Sequence, residues 1–398
     1  MADRLFPPSR AEALRRLAHF APKAGSAYAA GRNTDSGPDQ QGAVSKLSPY
    51  LRYRLLTEQE TVAEVLGRHS LTAAEKFVQE VLWRTYWKGW LEMRPEIWSR
   101  YLAGRDADRE RFHDTHALAD AEAGRTGIEG FDDWARELVT TGYLHNHARM
   151  WFASIWVFTL RLPWTLGADF FLRHLIDADP ASNTLSWRWV AGLQTAGKTY
   201  LATADNIARY TNGRFAPKGL AKNAPPLTEP PIPAPTPLSA HPIWDERAPS
   251  LLLVTHEDLH PEPLFPVDSR FSNALIIDDH TLLWGEGARQ FVSAAVTDAA
   301  ARLASRFNCG VEITNTLDPE TLIAAARAAG TRQILTADTP IGPVAEVLSS
   351  SEPVLAREGI SLVRVRRPWD SAFWPHAKRG FFAFKEQMPH LLRAGGLL

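Results

Sequence analysis

The residues best equipped for chemistry lie close together in the first half of the chain. Residues 176–189 read "IDADPASNTLSWRW": two carboxylates, Asp177 and Asp179, then an amide, Asn183, then two indoles, Trp187 and Trp189. Upstream, "FVQEVLWR" places Phe77, Glu80, Trp83 and Arg84 within two helical turns, and "HNHARM" offers Asn146, Arg149 and Met150. A carboxylate beside apolar surface needs a cation or a hydrogen-bond donor. Asp177 could find one in Arg149, while Asp179 could accept from the hydroxyls or amides of a ligand. Trp187 and Trp189 are two apart, so on a helix they point in different directions, one to the core and one to a cavity. Spacing alone leaves two readings open, a ligand site or an aromatic core with surface ion pairs.

Two regions of different grammar position these residues. The chain has 398 residues, enough for two domains with cores of their own. Residues 217–249 contain ten prolines and read as an exposed linker, since such a run lacks backbone donors and prefers extended geometry. Before it, residues 1–216 show helical periodicity. In "TAAEKFVQEVLWRTYWKGWLEM" the apolar residues Phe77, Val81, Leu82, Trp83, Trp87 and Trp90 recur at spacings of three and four, with Thr72 as N-cap and Glu75 completing a capping box. After it, residues 250–398 alternate short apolar runs ("SLLLVT", "ALIID", "VEIT", "QILTA", "SLVRV") with helical stretches. That alternation predicts a Rossmann-like, doubly wound parallel sheet behind an all-helical domain, an α plus α/β architecture.

Composition narrows the function classes. Apolar residues make up 45% and charged residues 22%, as in a soluble globular protein, while the 14 tryptophans are in excess. The single cysteine, Cys309, excludes a disulfide framework and a cysteine-ligated cluster. No apolar run is long enough to span a membrane and no signal peptide is evident, so a cytoplasmic protein without a membrane partner is expected. Net charge is −1, so no global basic field points to nucleic acid.

Several short motifs compete. "GLQTAGKT", Gly192–Thr199, satisfies the phosphate-loop pattern, and "ALIIDD" could supply a magnesium-binding aspartate. That loop works only between a buried strand and a helix, whereas here it follows "SWRWVA" in a helical region, so a nucleotide hydrolase is the remote alternative. "HDTH" and "HNH" lack a metal-binding helical spacing and a third ligand, so no metal is expected.

Six blocks taken together resemble the FAD-binding helical domain of the DNA photolyase and cryptochrome family: "YAAGRN", "SKLSPYL", "FVQEVLWR", "GRTGIEGFDDWARELVTTGYLHNHARM", "LPWTLGADFFLRHLIDAD" and "NTLSWRW", in that order. The resemblance implies an FAD cofactor, with Tyr28 and Arg32 at the mouth of its site and Ser45, Leu47 and Ser48 holding the diphosphate. It implies further that Phe77, Arg84, Asn146 and Arg149 line the flavin, that Asp177 and Asp179 bind near the isoalloxazine and the adenine, and that Asn183 faces flavin N5. Glu80, Trp83, Asn146, Met150 and Trp189 match the substrate face, where DNA carrying a pyrimidine dimer is bound. Trp187 and Trp164 match two members of the family's electron-transfer chain. No tryptophan aligns with the third, surface member, whose neighbourhood holds Arg111 and Phe112.

The expected activity is blue-light-driven repair of pyrimidine dimers, a deoxyribodipyrimidine photolyase-like lyase. The alternative is a cryptochrome-like photoreceptor with a signalling partner. Asn183 leans toward repair, because plant cryptochromes carry an aspartate there. Val44, Arg54 and His147 depart from the family's usual threonine, glycine and arginine, and His147 removes a permanent charge beside the lesion. The order of domains also departs, since the α/β region follows the helical one. It loosely resembles an antenna domain, which implies a second chromophore of unassigned identity. The aromatic tail "FWPHAKRGFFAFKEQMPHLL" is expected to pack on the protein rather than bind a partner.

Overall fold

A computed structural model describes residues 5–40, 42–240, 243–266 and 268–398. Its helical half is organised around Leu71–Glu92 (α1), whose inward side buries Phe77, Val81, Leu82, Trp87 and Trp90. The cap differs from expectation: Ser70 is extended and its hydroxyl accepts from Ala73 N, so Thr72 already lies within the helix. Glu75, released from a capping box, pairs with Lys385 of the tail at 2.7 Å. On α1 packs Pro180–Val190 (α5), and against α5 in turn pack Glu96–Phe112 (α2), Asn146–Ser154 (α3) and Trp164–His174 (α4). α5 has proline at its first position and Asp179 as N-cap, whose Oδ1 accepts from Ser182 N at 2.8 Å. This N-terminal arrangement is the favoured one, because proline has no N–H to leave unpaired and the carboxylate meets one that is.

Each of the five apolar runs read from the sequence is a strand: Ser250–Val254 (β1), Phe271–Ile277 (β2), Gly310–Thr314 (β3), Gln333–Ala337 (β4) and Ser361–Val365 (β5). All pair in parallel, in the order β3-β2-β1-β4-β5. Alternate residues of β1 enter different cores: Leu252 and Val254 one, Leu251 and Leu253 the other. Burial on both faces explains the apolar run of the central strand β1, whereas the edge strands β3 and β5 are partly exposed and carry Glu312 and Arg364.

The two halves share cores. Phe6, Leu17, Tyr50, Tyr53 and Leu55 pack in one cluster with Phe291, Val292 and Ala295 from the long helix Glu286–Phe307. Conversely, the tail helices Pro368–Phe373, Phe381–Glu386 and Met388–Ala394 send Trp369, Phe373, Phe384 and Leu392 into the helical core. Trp374 lies so close to α1 that a Cβ on Gly89 would meet it at 2.8 Å, which explains a glycine in the middle of a long helix. The proline-rich segment is exposed for most of its length but fastened: Thr236 N donates to Met93 O at 2.8 Å, and Glu229 pairs with Arg188.

Candidate functional site: a charged, aromatic cavity wall in the helical half

Asp177 and Asp179 enter the helical core just before α5, and each finds the cation that burial demands. Arg149 Nη2 donates to Asp177 Oδ2 at 2.9 Å, the pairing expected from the sequence. Arg84 Nη2 lies 2.8 Å from Asp179 Oδ2, with Lys88 Nζ at 4.0 Å. Burial alone would raise the Asp179 carboxyl, but Arg84, Lys88 and Arg52 outweigh it and hold it below its usual range. Asn183 is buried one turn further, its Nδ2 donating to Ala168 O at 2.8 Å.

The other expected residues fall at several places around this centre. Tyr28 and Phe77 meet edge to face at 5.3 Å, both buried. Ser45 Oγ accepts from Leu47 N at 3.4 Å, and Ser48 opens the short helix Ser48–Arg52. Between them Lys46 takes a left-handed conformation, φ 52°. A narrow cleft of about 20 Å³ runs along this segment, bordered by Val44, Lys46, Tyr143 and His145. The Tyr143 ring lies 5.7 Å from both Lys46 Nζ and the Arg149 guanidinium carbon, which connects the Ser45 segment with the Arg149–Asp177 pair.

The substrate-face residues are less uniform. Asn146 is exposed at the start of α3, and Met150 is half-buried. Trp189 is half-buried and stacked on Tyr200 at 5.8 Å, whereas Trp187 is buried, so the two indoles do diverge. Glu80 pairs with Arg32 at 2.5 Å. Burial still raises the Glu80 carboxyl despite Arg32. Trp83 is covered: Phe381 of the tail stacks on it with centroids 3.6 Å apart and planes 9° from parallel. His147, in place of an arginine, stacks on Trp151 at 4.2 Å, and its ring nitrogens contact Asn33 O and Tyr200 Oη.

Several buried polar atoms here have no hydrogen-bond partner among the described residues: Asp177 Oδ1, Lys88 Nζ, Ser182 Oγ, Thr184 Oγ1, His145 Nε2 and Trp187 Nε1. Orphaned groups are rare in native cores, so their concentration around α5 needs an explanation. A flavin with its ribityl chain presents N–H, carbonyl and hydroxyl groups that complement such a set, so the residues fit FAD. Lys88, Tyr143 and His145 were missed by sequence reasoning. Lys88 alone had a local signal, four residues after Arg84 on the same face of α1. Burial, with Arg84 and Arg54 nearby, lowers the Lys88 amine to about 8.

The competing motifs dissolve. Gly192–Gly197 is a run of turns after a helix, exposed from Thr195 to Lys198, with no strand before it, so the phosphate-loop match is coincidental. Among the described residues no three His, Cys, Asp or Glu side chains converge as a metal site, and no helix is long and apolar enough to cross a membrane.

Residues 77–216 match the family model described as the FAD binding domain of DNA photolyase. A deoxyribodipyrimidine photo-lyase of Streptomyces griseus is 37% identical over 154 residues, 38% of this chain and 33% of that protein. One from Alkalihalophilus pseudofirmus is 31% identical over 189 residues, 47% of this chain and 39% of that protein. The matches therefore span well under half the length of these relatives. Among solved structures, a bacterial class III photolyase from Agrobacterium tumefaciens aligns over 52% of this chain and 46% of its own, at 26% identity and a TM-score of 0.43.

Proposed function

Residues 77–216 match the FAD binding domain of DNA photolyase, and on that likeness we propose that the protein is a blue-light-driven, FAD-dependent enzyme that repairs pyrimidine dimers in DNA. The observation that carries this reading is the pair of buried, cation-held carboxylates at the start of α5, surrounded by polar atoms that lack partners among the described residues. Bound and reduced FAD, when excited by light, supplies the electron that opens the dimer's cyclobutane ring and then takes it back.

The chain's own part is holding, orienting and excluding water. Asp177 and Asp179 accept from the cofactor's N–H and hydroxyl groups, fixed in place by Arg149 and Arg84. Asn183 offers a neutral amide whose Nδ2 donates to Ala168 O, so that its oxygen would remain available to accept from the cofactor. Ser45, Leu47 and Ser48, with Tyr28 and Arg32 nearby, serve the diphosphate. Phe77 and Asn146 complete the wall. On the DNA side Glu80, Trp83, Met150 and Trp189 receive an extruded pyrimidine pair, where stacking returns about 1–3 kcal/mol per base against the cost of unstacking. The carboxyl of Glu80, raised by burial, is suited to share a hydrogen bond with a pyrimidine edge.

One observation favours the second reading, a photoreceptor without repair. Phe381 already stacks on one face of Trp83, where it would compete with a base. An antenna chromophore, in either reading, has to sit away from the ends of β1 and β4, because the loops there are filled by the helical half.

The test is direct. Purified protein should show flavin absorbance and, under blue light, consume thymine dimers in an oligonucleotide. Flavin photoreduction without dimer loss would transfer the assignment to the photoreceptor, and a colourless protein would end both readings. Phe381→Ala sharpens the choice: repair predicts that affinity for the dimer oligonucleotide rises by about tenfold as the competing stack is removed, measured by fluorescence polarisation.

A further inference from the structure

Trp187 and Trp164 stand at the beginning of an aromatic series that continues past both. The ring of Trp187 presses on Gly167, where a Cβ would meet it at 2.3 Å, and Gly167 lies one turn from Trp164 on α4. From Trp164 the rings follow in contact: Tyr101 at 5.6 Å, then Trp98 at 5.4 Å from Tyr101, then Trp284 at 6.0 Å from Trp98. Tyr101 and Trp98 lie on α2, whereas Trp284 belongs to the loop before Glu286–Phe307 in the α/β half, and is half-buried.

The indole nitrogens along this series differ in a way that gives it a direction. Trp187 is 2% exposed and its Nε1 has no acceptor. Trp164 Nε1 donates to Glu229 Oε1 at 3.1 Å, and Trp98 Nε1 to Glu346 Oε1 at 2.8 Å. An indole that loses an electron becomes a cation with an acidic N–H, so a carboxylate on that N–H stabilises it and can take its proton. At Trp164 the benefit is partly cancelled, because Arg188 pairs with Glu229 and sits 5.8 Å over the ring. Glu346 is exposed, so a proton accepted there passes to water. Tyr101 is different: its hydroxyl is buried with no partner, so the phenol has nowhere to release a proton and serves as a bridge.

We propose that the electron route serving the flavin site leaves through Tyr101 and Trp98 to Trp284, with Glu346 as proton acceptor, so that the α/β half supplies the solvent end. This rests on the flavin reading above. One electron leaves Trp187 for the bound, light-excited flavin and is replaced from Trp164, across Tyr101 from Trp98, and then from Trp284. Trp98 or Trp284 gives its indole proton to Glu346 or water. A soluble thiol returns one electron and one proton to the outer indole, two thiols ending as one disulfide.

The experiment uses the full chain in three forms: wild type, Trp98→Phe and Trp284→Phe, each checked for flavin content by absorbance and for folding by thermal melting. With thiol present, photoreduction should slow by about tenfold in each variant. Glu346→Gln should slow it less, and Tyr101→Phe, which keeps the ring, should leave it near wild type while Tyr101→Leu does not. A second readout needs no flavin. A ruthenium polypyridyl photo-oxidant in solution should generate an indole radical, seen by electron paramagnetic resonance with ring-deuterated tryptophan, and its yield should fall in Trp284→Phe. Photoreduction and radical yield equal to wild type in both tryptophan variants, with flavin bound, overturn the route alone. A chain that purifies without flavin overturns the functional reading, and the route with it.

Discussion

The wall around α5 and the junction at the ends of β1 and β4 are both rich in buried charge, yet they are finished differently. At the junction the charges are paired with one another within the chain, although Arg54 Nε and Glu58 Oε1 also lack a hydrogen bond among the described residues. Arg52 donates to both oxygens of Glu257 at 2.7 and 2.8 Å, Arg54 meets Asp370 at 2.5 Å, and Arg367 clasps Asp258. Loops beyond parallel strands, where the order reverses, are a common place for ligands. Here two arginines of the helical half fill that crevice. Around α5, by contrast, the carboxylates are held by cations but acceptors and donors beside them stay open. A closed network fixes how two lobes sit together. An open one waits for a molecule that brings the missing partners.

If that contrast is right, breaking the closed network should have the largest effect on stability. Arg54→Met strips the cation from between Asp370, Asp258 and Glu58, and should cost about 3–5 kcal/mol in urea denaturation, since uncompensated buried carboxylates remain. Loss under 1 kcal/mol would mean that the charges are not closed off from water. Asp179→Asn should act the other way: asparagine still caps α5, so folding is spared, while flavin occupancy falls by about tenfold or more in a titration followed by absorbance. Unchanged occupancy would move the cofactor elsewhere.

The smallest effect is a matter of pH. Glu92 accepts from Ile341 N across the junction, and burial pushes its carboxyl up to about 8. Between the usual carboxyl range and about 8, the folded chain keeps a proton that the unfolded chain has released. Its contribution is therefore whole at low pH and is lost as pH rises through that window. Glu92→Gln imitates the neutral form, so its gain in melting temperature at pH 8 should exceed that at pH 5 by about 2–4 °C. Equal gains would show that Glu92 is solvated.

How far these features could be read beforehand depended on their range. The strands were legible because each is a short apolar run bounded by turns, and the divergence of Trp187 and Trp189 follows from helical geometry alone. Arg149 and Asp177 could be matched because a buried carboxylate calls for a cation, and the nearest preceding block offered one. Glu80 meets Arg32, and Arg84 meets Asp179, pairings across the fold that no local pattern records. Thr72 failed as a cap because Ser70 is the last extended residue. The covering of Trp83 by Phe381 joins positions at opposite ends of the chain, so neither periodicity nor composition could announce it.

The shared core between the first helices and Glu286–Phe307 has a consequence for synthesis. Tyr50 and Tyr53 rest against Phe291, a residue made only after the entire helical half and the proline-rich segment. Their apolar faces must therefore emerge from the ribosome and remain uncovered while more than half the protein is translated. A chain built in this order is more exposed to chaperones, and to aggregation when they are scarce, than one whose lobes close in turn as they are made.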